Sequence, residues 1–142
     1  GLKNLTMSGN QVSNLQPLSQ LTNLEVFQCN QSPVSDLTPL SGLSKLQKLD
    51  IENTPVEDLD PIAVLLNLRS LNGSGTQIKS IDPVEDLMKL EEIKLNNTLI
   101  KSLKPLLELP RLKSLECYNT KITSKTVDKF KEAKPGVKVV YY

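Results

Sequence analysis

The chain of 142 residues has the length of one domain, and its 38% hydrophobic content is enough to fill a continuous core. Its formal net charge is +1, with acids and bases interspersed, so it lacks the strong positive field expected of a protein that binds nucleic acid. No apolar run approaches the roughly 18 residues that a membrane-spanning helix requires. We therefore expect neither a nucleic-acid partner nor insertion into a membrane.

One pattern, Leu-x-x-Leu-x-Leu-x-x-Asn/Thr-x-Val/Ile-x-x-Leu-x-Pro-Leu, recurs every 22 residues. The six repeats begin at Leu2, Leu24, Leu46, Leu68, Leu90 and Leu112. A fixed period of about 20 to 29 residues with this leucine spacing is typical of a leucine-rich repeat solenoid. The sequence therefore predicts a single α/β domain over residues 1–142, in which each repeat forms one coil.

Each repeat begins with a short strand, because apolar residues alternate at its fourth and sixth positions, as in Leu5 and Met7. Such a short strand is stable only if neighbouring coils pair in parallel and share one core. The fourth positions should then form a single row of Leu5, Phe27, Leu49, Leu71, Ile93 and Leu115.

The ninth position should satisfy buried backbone groups where the chain turns out of the strand. This column contains Asn10, Ser32, Thr54, Thr76, Thr98 and Thr120. A Pro-apolar pair follows, as in Pro17-Leu18 and Pro61-Ile62, and proline suits the first turn of a helix. Only about six residues remain before the next strand, so a single 3₁₀ or α turn is expected on the convex side.

The sixth repeat departs from the pattern, and residues from about 123 to 142 are predicted to form a C-terminal helix-strand cap. Ser124 is expected to N-cap a helix that directs Val127, Phe130 and Ala133 inward, and 135–136 is expected to end it. Residues 137–141 read as a last strand. A terminal coil needs an atypical cover, and this segment provides one.

No comparable cap precedes the first repeat, so its coil is expected to present an open apolar end and an unpaired strand edge. The residues at this end are Leu2, Leu5, Met7, Val12, Leu15, Leu18 and Leu21. Our hypothesis is that a neighbouring domain, a partner or a second copy in a homodimer covers them. The chain is accordingly expected to be a fragment of a longer protein.

Cys29 and Cys117 both occupy the sixth position of their repeats, four repeats apart. At a strand spacing of about 4.8 Å their Cα atoms would lie roughly 19 Å apart, far beyond the limit of about 7 Å for a disulfide. We therefore expect two buried free thiols, which leave the redox compartment open.

The repeat string, especially Asn53 to Ile62, resembles the internalin-type leucine-rich repeats of bacterial surface proteins, a class of 22-residue repeats. The resemblance covers Leu2 to about Ile122. It implies a right-handed horseshoe whose concave parallel sheet binds other proteins, and an extracellular or bacterial cell-surface location. Threonine replaces the usual asparagine at the ninth position in four repeats, which suggests a variant subfamily, and the internalin N-terminal cap is missing.

Catalysis has little support in the sequence, which has no histidine, no glycine-rich phosphate loop and no cluster of cysteine ligands for a metal. Neither a cofactor nor a metal is therefore expected. Asp50 and Glu52 lie on the exposed side of one strand, and paired carboxylates can perform acid-base chemistry. A solvated binding or solubility face is the better interpretation, because both carboxylates are expected on an open sheet face in contact with water.

The third, fifth and seventh positions of each repeat define the predicted concave face, which carries two lysines and four acids. A net charge of −2 and a shortage of aromatics argue against nucleic acid. Tyr118 is the only residue of the types that dominate interface hot spots, so either the ligand is polar and weakly held or another surface binds. The predicted partner-binding residues are Lys48, Asp50, Glu52, Asn72, Lys94, Glu116 and Tyr118.

Two other features invite a functional interpretation. Gly73 occupies a core column, and we expect Ile51 and Leu95 to close over it rather than leave a dimple for a ligand. Lysines outnumber acidic residues on the predicted cap. Such lysines usually solvate an exposed end of the solenoid, and the alternative is that they attract an anionic partner. These lysines are Lys121, Lys125, Lys129, Lys131, Lys134 and Lys138.

The leading hypothesis is a non-enzymatic interaction module whose concave face binds a protein, or a glycan. The alternative is a structural spacer or docking segment in a larger protein that contacts its neighbour through the uncapped N-terminal coil.

Overall fold

The computed structural model describes all residues, 1–142, and contains one parallel sheet of seven strands in sequence order. The strands are β1 (Asn4–Thr6), β2 (Val26–Gln28), β3 (Lys48–Asp50), β4 (Ser70–Asn72), β5 (Glu92–Lys94), β6 (Ser114–Glu116) and β7 (Lys138–Val140). Each connection leads from one strand to the adjacent strand of the sheet. The chain is therefore a right-handed α/β solenoid with an open sheet.

The register of the sheet follows the sequence repeat. Leu5 pairs with Phe27, Phe27 with Leu49, and the same step of 22 residues continues through Leu115. The predicted row at the fourth position is thus confirmed. From β2 onward these side chains are buried in one continuous core, because only stacked coils remove them from water.

The convex side consists of short 3₁₀ turns, as the Pro-apolar pairs predict. They are Gln16–Gln20, Thr38–Leu40, Asp60–Ile62, Asp82–Val84 and Lys104–Leu106, each with proline near its start. The side chain two positions before each turn accepts a hydrogen bond from the N–H of the turn's first residue; Asp58, for example, accepts from the Asp60 N–H at 2.8 Å. The whole column is Asn14, Asp36, Asp58, Ser80 and Ser102.

The ninth position of every repeat bonds the backbone, as predicted. Thr54, Thr76 and Thr98 donate their hydroxyls to the carbonyl three residues earlier, at 2.6–2.7 Å. Asn10 makes two bonds, because its amide donates to the Met7 carbonyl while its oxygen accepts from the Val12 N–H. These side chains satisfy backbone groups that the turn would otherwise leave unpaired.

The eighth position of every repeat has a left-handed backbone conformation, with φ between +51° and +68°. The six residues are Gly9, Gln31, Asn53, Gly75, Asn97 and Asn119. Glycine and asparagine tolerate this conformation better than most residues. This column therefore reverses the chain between strand and convex turn.

The helix α1 (Ser124–Ala133) and β7 follow the sixth coil. Val127 and Phe130 are buried against it, as predicted. Two details of the prediction were wrong. Thr123, not Ser124, is the N-cap, and its hydroxyl accepts from the Thr126 N–H at 3.3 Å because Ser124 already lies in the first turn. Ala133 is exposed, since the core is already filled one turn earlier by Phe130.

The first coil shows the open end that the sequence predicts. Leu2 and Val12 are 49% and 42% exposed, and Leu5, Met7, Leu18 and Leu21 are half-buried. Leu15 is an exception to the prediction, because it is buried. β1 has a pairing partner on one side only.

Three core positions match their predictions in different degrees. Cys29 and Cys117 are buried free thiols, and desolvation raises the pKa of each to about 11. Gly73 is closed over by Leu95 as expected, and by Ile78 rather than Ile51, so no cavity opens there.

Candidate functional site

The predicted partner-binding residues share one face of the sheet. Lys48 and Asp50 belong to β3, Asn72 to β4, Lys94 to β5 and Glu116 to β6. Glu52 and Tyr118 lie two residues beyond β3 and β6. Because the fourth and sixth positions of each repeat point into the core, these odd positions project to the opposite, concave side. The structure therefore places all seven on a single surface.

Asp50, Glu52 and Asn72 form a connected acidic cluster on this face. The Glu52 N–H donates to Asp50 Oδ1 at 3.0 Å, and Asn72 Nδ2 donates to Glu52 Oε2 at 3.3 Å. Neither carboxylate has an ion pair, and Lys48 beside them has none either. The cluster therefore has no cationic side chain of this chain within ion-pairing distance.

Glu116 is the centre of a second cluster. Its carboxylate lies 3.7 Å from Lys94 Nζ and accepts from Asn96 Nδ2 at 2.7 Å. Asn96 is buried, and its oxygen accepts from the Tyr118 N–H at 3.1 Å. Asn96 thus holds both Glu116 and the backbone of Tyr118. It was not selected from the sequence, although its place at the seventh position pointed to this face.

The Tyr118 ring packs against Tyr142, with ring centroids 5.8 Å apart and planes tilted by 43°. Tyr142 is 88% exposed, so the pair forms an aromatic surface at one end of the concave face. Tyr142 was not among the residues predicted from the sequence. Its position shortly after the predicted last strand, matching that of Tyr118 after β6, was the available signal.

A shallow depression of about 230 Å³ lies over β5, β6 and β7. It is lined by the ion pair of Lys94 and Glu116 together with Glu92, Ser114, Lys138 and Val140. The depression is polar and open, which suits recognition of a side chain or sugar hydroxyls better than enclosure of a small molecule.

The structure does not assemble features of a catalytic or metal centre on this face. Asp50 and Glu52 bond to a backbone amide and to Asn72, without a nucleophile or base beside them. No three His, Cys, Asp or Glu side chains lie close enough together to share a metal ion. The only α-helix, of ten residues, is too short and too polar to cross a bilayer.

Comparisons with known proteins agree with this geometry. Residues 1–42 match the family model described as leucine-rich repeats (2 copies). No curated protein sequence matches the chain. Among solved structures, an internalin (InlF) of Listeria monocytogenes superposes with a TM-score of 0.91 at 28% identity, over 98% of this chain and 41% of that one.

Two further structures are similar. Internalin C2 of Listeria monocytogenes has a TM-score of 0.91 at 28% identity, over 98% of this chain and 60% of its own. A leucine-rich repeat protein of Leptospira interrogans has a TM-score of 0.89 at 22% identity, over 97% of this chain and 36% of its own, and shows the same fold. The chain spans less than two thirds of each of these proteins.

The stacked parallel strands, the repeated leucines and the matching family model define a leucine-rich repeat protein. Within that class the chain is similar to the internalins of Listeria monocytogenes, at 28% identity over 98% of its length.

Proposed function

We propose that the chain is a non-enzymatic interaction module that binds a protein ligand on its concave face. The observation that carries the proposal is the collection of Lys48, Asp50, Glu52, Asn72, Lys94, Glu116 and Tyr118 on one surface by the fixed register of the sheet. Leucine-rich repeat folds commonly serve as protein-interaction modules, and a parallel sheet in strict register presents side chains at rigid positions.

The two clusters suggest the chemistry of the ligand. The carboxylates of Asp50 and Glu52 lack ion pairs and suit a lysine or arginine of the partner. The half-buried ring of Tyr118 and the exposed ring of Tyr142 suit an apolar or planar group, since tyrosine is enriched at interface hot spots. A glycan that stacks on these rings is a variant of the same proposal.

Location and origin belong to the proposal as well. The similarity to internalins of Listeria monocytogenes supports a bacterial protein, either secreted or on the cell surface. A ligand met in trans, on another cell or in the medium, fits an open sheet face of this kind.

The test starts with a photo-crosslinking residue at position 118, and at exposed Leu66 on the convex side for comparison. A partner that crosslinks only from position 118 is then used to measure Kd for the triple variant Asp50→Ala, Lys94→Ala, Tyr118→Ala. The matched control is Asp60→Ala, Lys104→Ala, Leu66→Ala on the convex side. Binding that is lost in the first variant and retained in the second supports the proposal. The reverse pattern contradicts it.

A second candidate function, docking within a larger assembly, is favoured by the exposure of Leu2 and Val12 on the first coil. Here the double variant Leu2→Lys, Val12→Lys should abolish the interaction while the concave triple variant leaves it intact. Sedimentation velocity over a wide concentration range tests whether the occupant is a second copy. A species that remains monomeric throughout excludes the homodimer.

A further inference from the structure

We infer that a lysine cleft at the loop edge of the solenoid binds an acidic polysaccharide. The cleft has a volume of about 540 Å³ and is lined by Lys79, Leu99, Lys101 and Lys121. It lies where the chain turns from the strands toward the convex side, away from the concave face. The inference is therefore independent of the proposed protein-binding function.

The repeat itself produces this convergence of positive charge. Lys79 and Lys101 occupy the same position of adjacent coils, and Lys121 lies two positions earlier in the next coil. Adjacent coils are separated by about the strand spacing of 4.8 Å, so three ammonium groups surround one cleft. The half-buried Leu99 forms part of its wall.

These three lysines lack the partners that most lysines in neighbouring coils have. Lys3 pairs with Glu25 at 3.3 Å, Lys113 with Glu91 at 2.9 Å, and Lys45 bonds Asn23 at 2.6 Å. No carboxylate lies within 4.0 Å of any ammonium group of the lysine cleft. An anion placed among them would relieve their mutual repulsion.

The backbone of the lysine cleft argues for a polysaccharide rather than a peptide. The N–H groups of Gln77, Leu99 and Lys121 donate to carbonyls of the preceding coil at 2.9, 3.0 and 3.1 Å. These donors are therefore unavailable to an added peptide strand. No aromatic residue lines the cleft, so nucleic-acid bases have no surface on which to stack.

Lysine side chains are flexible point charges without the fixed fork of arginine. They suit sulfate or carboxylate groups carried on a flexible chain, whose exact orientation is not imposed by the site. The shared chemistry of the ligand is thus a polysaccharide that bears repeated oxyanions.

The experiment compares two variants of the full chain with equal change in charge. The cleft variant is Lys79→Gln, Lys101→Gln, Lys121→Gln. The control is Lys3→Gln, Lys45→Gln, Lys113→Gln, in which each replaced ammonium already has an internal partner. Binding to dextran sulfate, polygalacturonate and uncharged dextran is measured by calorimetry at low and physiological ionic strength, with circular dichroism to verify folding.

We expect the unmodified chain and the control to bind one or both charged polysaccharides, more weakly as salt increases, and to ignore uncharged dextran. The cleft variant should bind about tenfold more weakly or worse, because three exposed charge contacts are lost. Preference for dextran sulfate or polygalacturonate identifies sulfate or carboxylate as the recognised group.

Three results would overturn the inference. Equal binding by the two variants would show that only net charge matters. Loss of binding in Lys125→Gln, Lys129→Gln, Lys131→Gln, with the cleft variant unaffected, would place the site on α1 instead. Tighter binding to polyglutamate than to either polysaccharide, sensitive to the cleft variant, would assign the cleft to an acidic protein.

Discussion

The side chain of Asn53 fills the space that a β-carbon on Gly75 would occupy, one coil further along the solenoid. Both residues lie at the eighth position of their repeats and both have positive φ. Gly75 thus meets two requirements at once, a left-handed backbone and close approach by a neighbouring side chain. Gly9, in the same column, meets only the first requirement, because a β-carbon added there has nothing within 4 Å.

Replacing Gly75 with alanine should destabilise the fold by about 2–4 kcal/mol, from backbone strain and overlap with Asn53 together. Urea denaturation measures this change. The matched control is Gly42→Ala, where a β-carbon meets nothing within 4 Å and φ is not positive; it should stay within about 0.5 kcal/mol of the parent. If both variants lose the same stability, the explanation is incorrect.

Gln31 is the residue least suited to the left-handed column, with φ of +58° on a long side chain. Gln31→Gly should raise the free energy of unfolding by up to about 1 kcal/mol, because relief of the strain exceeds the added entropy of the unfolded chain. Gln77→Gly, at an exposed glutamine whose φ is not positive, should lower stability instead. Thermal and urea unfolding of the two variants measure these changes. A change in the free energy of unfolding with the same sign in both variants would contradict the prediction.

Glu91 contacts Arg69 and Lys113 of the two neighbouring coils, and this predicts how the stability of the fold depends on pH. The hydrogen bond from Lys113 at 2.9 Å, its charge and that of Arg69 lower the pKa of Glu91 below 4.5. A carboxyl whose pKa is depressed on folding contributes stability above its unfolded pKa and loses it as the pH falls through the folded pKa. The contribution of Glu91 should therefore be present above pH 4.5 and disappear in more acidic solution.

Urea unfolding at a series of pH values measures this linkage, with Glu91→Gln as the variant and Glu92→Gln as the control. Glu92 is adjacent in sequence, faces the concave side and has no ion pair. The parent and the control should lose stability in acid by more than Glu91→Gln does. Parallel curves for all three proteins would refute the prediction.

Both thiols should be unreactive in the native state. Burial raises the pKa of Cys29 and Cys117 to about 11, so the thiolate that attacks a thiol reagent is scarce at neutral pH and also inaccessible. A colorimetric thiol reagent should label neither in buffer and both in urea. Fast labelling of the folded chain, or a single thiol in the denatured one, would disprove this.

The hydrophobic pattern was sufficient to predict the coil boundaries, the strand register and the Pro-initiated convex turns. These features depend on which side chains leave water, and the pattern of leucines contains that information directly. Two columns were not predicted: the left-handed eighth position, and the side chains that accept from the first N–H of each convex turn, which are Asn14, Asp36, Asp58, Ser80 and Ser102. Both columns depend on backbone conformation. The sequence indicated them by the recurrence of Gly, Asn, Asp and Ser at fixed positions of successive repeats.

The sequence predicted which face of the sheet carries the candidate site, but not which of its side chains bond to one another. Alternation of positions placed Lys48, Asp50 and Tyr118 on the concave face. The bonds that Asn96 makes to Glu116 and to the Tyr118 backbone depend on rotamers of neighbouring side chains, which no periodicity specifies. The packing of Tyr142 on Tyr118 depends on α1, whose different length shifts the last strand out of the repeat.

β1 pairs with one strand and its coil leaves Leu2 and Val12 exposed, whereas the sixth coil is followed by β7 and by α1, whose Val127 and Phe130 are buried. In a solenoid each coil contacts only its two neighbours, so the stability is approximately the sum of the interactions between adjacent coils. Amide hydrogens of Asn4–Thr6 should consequently exchange first, and disorder should advance from that end toward the middle of the solenoid. Unfolding of the solenoid should therefore begin at the N-terminal coil and proceed toward the C-terminal cap.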